Sequence, residues 1–143
     1  MSDQVSDILT KAFGSKKTVV DQRSISGGCI NKTLMVSTKD GNQYFLKLND
    51  RCAPDMFEKE ALGLKELKKP EIIFIPEVYG HGSYDGTNYL IMEFVTQAPQ
   101  KPDFFSDYGI RLAQLHQNTG EHYGFDHDNY IGELPQSNKY HTD

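Results

Sequence analysis

The sequence predicts an α+β fold, in which a five-stranded antiparallel sheet with helices is followed by a second, helical region. Three strand-like segments follow one another within residues 16–49, separated by turns that contain glycine. An amphipathic helical pattern then separates them from two further strand-like segments within residues 76–95. Two prolines in residues 96–102 indicate a linker, which divides the chain into residues 1–95 and 96–143.

The first predicted element is a short amphipathic helix in SDQVSDILTKAF, which serine or aspartate can cap and Gly14 can end. Its apolar residues recur at helical spacing: Val5, Ile8, Leu9 and Phe13. Residues 16–25, 30–40 and 43–49 are rich in β-branched or alternating apolar residues, so we predict three antiparallel strands. The Asp-Gly pair at 40–41 favours a hairpin turn between the last two strands.

A second helix is predicted in DMFEKEALGLKELKK. Its apolar face contains Phe57, Ala61, Leu64 and Leu67. Asp55 is expected to serve as its N-cap or as an acidic residue of its first turn, and Pro70 is expected to stop it. Residues 76–85 and 87–95 then predict two more strands around an Asp-Gly turn.

Beyond the linker, DFFSDYGIRLAQLHQNTG predicts a third helix that has no earlier segment to pack against. The tail, residues 121–143, is aromatic and interrupted by glycine and proline. It is too apolar for a disordered tail and too irregular for a strand or helix, so we expect it to dock on another surface.

Composition excludes several classes of partner. The net charge is −5 and the lysines are scattered, so we expect no binding to nucleic acid or to an anionic membrane. The longest purely apolar run is residues 72–75, far short of a membrane span of roughly 20 residues. The first residues lack a signal-peptide pattern, so a cytoplasmic location with reduced cysteines, Cys29 and Cys52, is expected.

One constellation of residues suggests chemistry. A glycine turn between paired strands, at Gly27 and Gly28, exposes backbone N–H groups that can cradle phosphate oxygens. Lys47 lies in a strand and needs an anion and a carboxylate nearby, and Glu60 of the following helix can supply the carboxylate. Each residue also has a simpler explanation, namely a tight hairpin, a solvated strand lysine and a surface glutamate.

Six segments carry a family resemblance: SGGCINKT, YFLKLN, MFEKEALGLKEL, YLIMEFV, LAQLH and YGFDHDNYIGELPQSN. On these segments, from about residue 20 onward, the chain resembles the fructosamine (ketosamine) kinases, relatives of the aminoglycoside phosphotransferases with a protein-kinase-like fold. The last segment is the most specific to that family. The resemblance implies that residues 1–95 form a nucleotide-binding N-lobe and residues 96–143 a hinge, or linker, and the start of the helical substrate lobe.

The resemblance also implies roles for individual residues on the phosphate side of the site. The backbone around Gly27 and Gly28 would cover the phosphates of ATP, Lys47 would bind them, and Glu60 would orient Lys47. The implied reaction is the ATP-dependent phosphorylation of the sugar 3-hydroxyl of ketoamines (fructosamine or ribulosamine), a step in protein deglycation, with ATP and Mg²⁺ as cofactors.

On the adenine side, the resemblance makes Met92 the gatekeeper residue at the end of a strand. Glu93, Phe94 and Val95 would then present backbone donors and acceptors to the adenine edge. The simpler alternative for these three residues is a strand that leaves the core.

The chain departs from the family at its C-terminal end. Family members continue into a larger helical lobe with a catalytic aspartate and a magnesium-binding aspartate, and no such pattern occurs before Asp143. We therefore expect a truncated, inactive chain with no catalytic residues of its own, whose Mg²⁺ ligands lie in the missing lobe. The spacing of His122 and His127 in HYGFDHD fits no common zinc pattern, so no metal site is predicted.

Cys29, in the phosphate loop, allows two explanations. One is that the tight loop accommodates only a small side chain; the other is that converging N–H groups with Lys32 and Lys47 favour a reactive thiolate. The family resemblance associates such a cysteine with redox-sensitive dimerisation, so we predict that Cys29 can link a homodimer through an intermolecular disulfide. Cys52 is the less favoured partner, since the loop before the second helix usually lies beyond the sheet edge.

Two other functions remain open at this point. The chain could belong to another small-molecule kinase of the same superfamily, of aminoglycoside or choline type. It could also be a non-catalytic, redox-responsive binding module. A partial lobe should leave Phe104, Phe105, Leu112 and Leu115 partly unburied.

Overall fold

A five-stranded antiparallel sheet organises the computed structural model, which describes residues 2–26 and 30–142. Its strands are β1 (Val19–Ser24), β2 (Lys32–Thr38), β3 (Gln43–Asn49), β4 (Val78–Tyr84) and β5 (Thr87–Glu93), in the order β1-β2-β3-β5-β4. Helix α1 (Ser2–Phe13) precedes the sheet, α2 (Met56–Lys68) connects β3 to β4, and α3 (Phe104–His116) follows β5. The predicted fold class, with its five strands and three helices, is confirmed.

Helix α1 covers one face of the sheet. Because side chains alternate along a strand, Tyr44, Leu46 and Leu48 of β3 all point to this face. They form the α1-side cluster, whose buried members are Val5, Ile8, Leu9, Leu34, Val36, Tyr44, Leu46, Leu48, Tyr89 and Ile91. Gly14 follows the helix with a φ of +62°, the left-handed conformation expected of a helix-ending residue.

Helix α2 covers the opposite face. The α2-side cluster consists of buried Phe57, Leu90 and Met92, with partly buried Phe45, Cys52, Ala61, Leu64 and Val78 packed around them. Lys47 is two residues from Phe45 on β3 and therefore faces α2 as well. The sheet thus directs one charged side chain of its central strand toward the second helix.

Two residues at the ends of α2 have surroundings that the sequence pattern did not indicate. Leu67 is 44 % exposed, because the apolar stripe continues past the part of the helix that rests on the sheet. Asp55 occupies the N-cap position, but its side chain makes no capping hydrogen bond. Its carboxylate instead accepts a hydrogen bond from Tyr130, a residue distant in the sequence.

The turn between β2 and β3 is held by an ion pair. Asp40 Oδ2 lies 2.5 Å from Lys17 Nζ, and Asp40 Oδ1 accepts a hydrogen bond of 2.5 Å from Thr38 Oγ1. Lys17 first, and Thr38 second, hold the pKa of Asp40 below its ordinary value of 3.8. The folded state therefore binds fewer protons here than the unfolded state, and the carboxylate contributes stability above that value.

We expect the Asp40→Asn variant to have a less acid-sensitive fold than the wild type. The wild type should be the more stable protein at neutral pH, and its advantage should shrink as the pH falls below about 4, where the unfolded carboxyl becomes protonated. Thermal melts from pH 7 to pH 2 measure this. Asp50→Asn, which removes a 74 % exposed carboxylate, is the matched control. A wild-type advantage that stays constant across this range would contradict the assignment.

Helix α3 is exposed along its length. No described residue of this helix is buried: Phe105 is 74 % exposed, and Phe104, Leu112 and Leu115 are likewise only partly covered, as expected. Arg111 Nη1 donates a hydrogen bond of 3.2 Å to the carbonyl oxygen of Ile72, which connects α3 to the loop before β4. No helix among the described residues is long and apolar enough to cross a membrane.

The tail is more ordered than its sequence suggested. It contains a short hairpin of β6 (Asn129–Ile131) and β7 (Leu134–Gln136), so the prediction that it was too irregular for a strand is wrong. The expectation that the tail docks on another surface is met, because β6 packs against α2. These strands were missed because three residues are too few to show an alternating pattern.

Candidate active site

Lys47 and Glu60 form the centre of the candidate site. Lys47 lies on β3, opposite Thr33 of β2 and Leu90 of β5, so it belongs to an interior strand and not to a sheet edge. Its Nζ donates a hydrogen bond of 2.6 Å to Glu60 Oε1 on α2. The side chains are 23 % and 31 % exposed, so the pair lies at the mouth of a cleft, where the ammonium can still reach a ligand.

A cavity of about 400 Å³ opens beside this ion pair. The residues that line it come from four parts of the chain: Ile30 and Asn31, Lys47, six residues of α2 (Met56, Lys59, Glu60, Gly63, Leu64 and Leu67), and Asn129, Tyr130 and Gly132 of the hairpin. Two lysines face one glutamate here, so the cavity favours an anionic group.

The glycine turn lies outside the described residues. Gly27, Gly28 and Cys29 are the three predicted site residues affected, so their roles, including the redox link through Cys29, stay predictions. The strands on either side of the turn are held together, because Ile25 N donates to Thr33 O at 3.0 Å and Thr33 Oγ1 donates to Ile25 O at 2.6 Å.

Asn49 fixes the chain where it leaves this turn, a role that was not predicted. Its Nδ2 donates to Ile30 O at 3.1 Å and to Asn31 Oδ1 at 2.8 Å. Its Oδ1 accepts hydrogen bonds from the backbone N–H groups of Arg51 and Cys52, before α2. A single buried amide thus connects the exit of the turn to the entry of the helix; the sequence signal was a polar residue ending a buried strand.

The predicted hinge begins where β5 ends. Met92 is 7 % exposed and packs in the α2-side cluster. Glu93 N donates to Glu77 O at 2.8 Å, while Glu77 N donates to Glu93 Oε2 at 3.1 Å. Phe94 and Val95 follow the last residue of the strand, so their amide and carbonyl groups lie beyond the sheet ladder. This arrangement can offer backbone donors and acceptors to a planar ligand.

The segment around the hairpin contains polar contacts but no metal cluster. His127 Nδ1 lies 2.5 Å from Asp126 Oδ1, and its ring lies 4.3 Å from that of Phe125. His127 Nε2 is buried without a hydrogen-bond partner among the described residues. Over residues 2–26 and 30–142, no group of three or more His, Cys, Asp or Glu residues is placed to hold a metal ion.

Comparison with known proteins identifies the family. A model of the fructosamine kinase family matches residues 1–143, the whole chain. The chain belongs to the fructosamine kinase family. This confirms the family resemblance that the sequence motifs predicted.

Two curated relatives of this fructosamine kinase family member are named as a ketoamine kinase and as a protein-ribulosamine kinase. The chain is 37 % identical to a probable ketoamine kinase of Synechocystis sp. over 91 % of its own length and 44 % of that protein. It is 40 % identical to the chloroplastic protein-ribulosamine 3-kinase of Oryza sativa subsp. japonica, over 95 % of its own length and 40 % of that protein. The chain therefore spans less than half the length of these relatives.

A solved structure shows the same fold. A candidate fructosamine-3-kinase from Haemophilus somnus superposes with a TM-score of 0.84 at 30 % identity, covering 99 % of this chain and 48 % of the other. The five-stranded antiparallel sheet with its helices is thus the kinase-like N-lobe fold of the fructosamine kinase family.

Proposed function

We propose that the chain supplies the ATP-binding part of a kinase that phosphorylates the sugar 3-hydroxyl of ketoamines, of fructosamine or ribulosamine type. The observation that carries this proposal is the 2.6 Å contact between Lys47 Nζ and Glu60 Oε1 at the edge of a cavity. Membership of the fructosamine kinase family supports the reaction class, and the names of the curated relatives support the substrate class.

Residues 1–95 would hold the nucleotide. The ammonium of Lys47 would neutralise phosphate oxygens, and Glu60 would keep that ammonium aimed into the cavity. Backbone N–H groups at Gly27 and Gly28 would cover the phosphates. At the other end of the site, the backbone at the end of β5, from Glu93 through Phe94 to Val95, would bind the adenine edge.

The chemistry asked of these residues is positioning and charge neutralisation. Phosphoryl transfer spreads negative charge over the transferred group, so a fixed ammonium lowers the barrier without forming a covalent bond. Mg²⁺, when bound with ATP, would neutralise further phosphate charge. We propose that its ligands and the catalytic base come from the part of the relatives that this chain does not span.

The test has a binding stage and an acceptor stage. We expect MgATP to bind the 143-residue chain in calorimetric titrations and to raise its melting temperature. A version extended to the length of its relatives should then transfer phosphate to a fructosamine or ribulosamine, and not to an aminoglycoside or to choline. Absence of ATP binding would overturn the nucleotide site, whereas transfer to an aminoglycoside or choline alone would overturn the substrate class.

A further inference from the structure

The tail segment 123–141 is folded back on itself by its own backbone. Tyr123 and His141 exchange backbone hydrogen bonds of 3.0 and 2.8 Å, and Phe125 N donates to Asn138 O at 2.7 Å. Between them, Gly124 has a φ of +109°, and a Cβ at this position would lie 2.5 Å from the carbonyl oxygen of Lys139. Only glycine permits so close an approach of the two backbone stretches.

Asn138 holds the base of the hairpin. Its backbone N–H donates to Asp128 Oδ1 at 2.8 Å, and its side-chain Nδ2 donates to His127 O at 3.1 Å and to Asn129 Oδ1 at 2.9 Å. One asparagine therefore fixes three consecutive residues on the opposite side of the hairpin. The hairpin is a braced unit and not a loose loop.

Tyr130, on β6, connects this braced hairpin to α2. Its Oη donates a hydrogen bond of 2.6 Å to Asp55 Oδ1, across 75 positions of sequence. Both side chains are partly buried. The ordinary pKa of a tyrosine phenol, 10.0, already keeps Tyr130 a donor at neutral pH, and its hydrogen bond to the Asp55 carboxylate raises that pKa further.

The contact lies close to the candidate site. Asp55 precedes Glu60 by five residues, or about one and a half helical turns, at the N-terminal end of α2. Asn129, Tyr130 and Gly132 line the same cavity as Lys47 and Glu60. The hairpin also approaches the exit of the glycine turn, since a Cβ on Gly132 would lie 3.4 Å from Ile30 Cδ1.

We infer that Tyr130 is a positioning residue for the nucleotide site. By holding Asp55, the braced hairpin fixes the rotation of α2 about its axis and its distance from the sheet. These two quantities determine where Glu60 contacts Lys47. Tyr130 acts through Glu60 and need not touch the nucleotide. The inference rests on the proposed function, because its effect is read out as ATP affinity.

Removing one oxygen atom tests the inference. Tyr130→Phe keeps the ring and loses the donor, and we expect ATP to bind about 3- to 10-fold more weakly, the range of coupling carried by packed networks. Asp55→Ala should give the same loss from the helix side, whereas Asp55→Asn keeps an acceptor oxygen and should stay within about twofold of wild type. Tyr123→Phe, in the same segment at a 71 % exposed tyrosine, is the control and should have no effect.

A double-variant cycle separates positioning from plain stability. In a Glu60→Gln background the Tyr130→Phe change should cost little or no further affinity, because the group through which it acts is already impaired. A Tyr130→Phe chain that melts earlier but binds ATP as wild type does would overturn the inference. So would an equal loss of affinity in both backgrounds.

The outcomes also separate this inference from the proposed function. If wild type binds ATP and Lys47→Ala does not, but Tyr130→Phe binds normally, the nucleotide site stands and only the positioning role fails. If wild type does not bind ATP at all, both fail. Circular dichroism of each variant establishes that it is folded, and the Asp55 variants keep the test decisive if Tyr130→Phe does not fold.

Discussion

Lys47→Ala is expected to weaken ATP binding by about 10- to 100-fold, the equivalent of one lost hydrogen bond to a charged group, about 1.5–3 kcal/mol. The ligand-free fold should change little. Lys47 and Glu60 are 23 % and 31 % exposed, so deletion of the ammonium leaves a carboxylate that water can reach and not an unpaired charge in a dry core.

Calorimetric titration with MgATP and thermal melts with and without ATP measure both parts of this prediction. Lys65→Ala removes the same charge from an exposed position of α2 and should bind ATP as wild type does. Glu60→Gln should show a milder loss than Lys47→Ala, since it misplaces the ammonium without deleting it. An equal rise in melting temperature with ATP in Lys47→Ala and wild type would remove Lys47 from the site.

Phe57→Ala is expected to have the largest effect on stability, a loss of about 3–5 kcal/mol in the free energy of unfolding. Phe57 is 2 % exposed and is among the largest fully buried side chains of the described residues. It packs against Leu90 and Met92, so its truncation leaves a cavity between α2 and the sheet. Glu60 lies one turn further along the same helix. Loss of packing at Phe57 should therefore also lower the affinity of the folded variant for ATP.

Chemical denaturation of Phe57→Ala beside Phe74→Ala gives the sharpest measurement. Phe74 is 65 % exposed, so the same substitution there should change the free energy of unfolding by less than about 0.5 kcal/mol. Similar losses in the two variants would mean that α2 is not packed on the sheet as described.

The sheet could be predicted from sequence because its pattern is local. Residues 44–48 alternate between the α1 face and the α2 face of the sheet, and the Asp-Gly turn at 40–41 joins β2 to β3 as expected. The meeting of Lys47 and Glu60 followed from the order of elements, since a helix directly after β3 returns across the face to which Lys47 points. That part of the candidate site could therefore be predicted from the sequence alone.

Long-range polar contacts could not be predicted in the same way. Strands β6 and β7 have three residues each, and β7 includes Pro135, which argues locally against a strand. They are held by Asn138 and by the Tyr130–Asp55 contact, which joins positions 75 apart. The sequence predicted that Asp55 would cap α2, but its carboxylate accepts a hydrogen bond from Tyr130 and makes no capping hydrogen bond.

The sheet separates two apolar clusters, and no residue that the structure describes belongs to both. Of these two clusters, it is the α2-side cluster that packs against the helix that carries Glu60. The side chains beneath α1 can therefore be exchanged for others of compensating volume without moving the Lys47–Glu60 pair. Such a partition offers a physical reason why a lineage can diverge to 30 % identity and still superpose with a TM-score of 0.84.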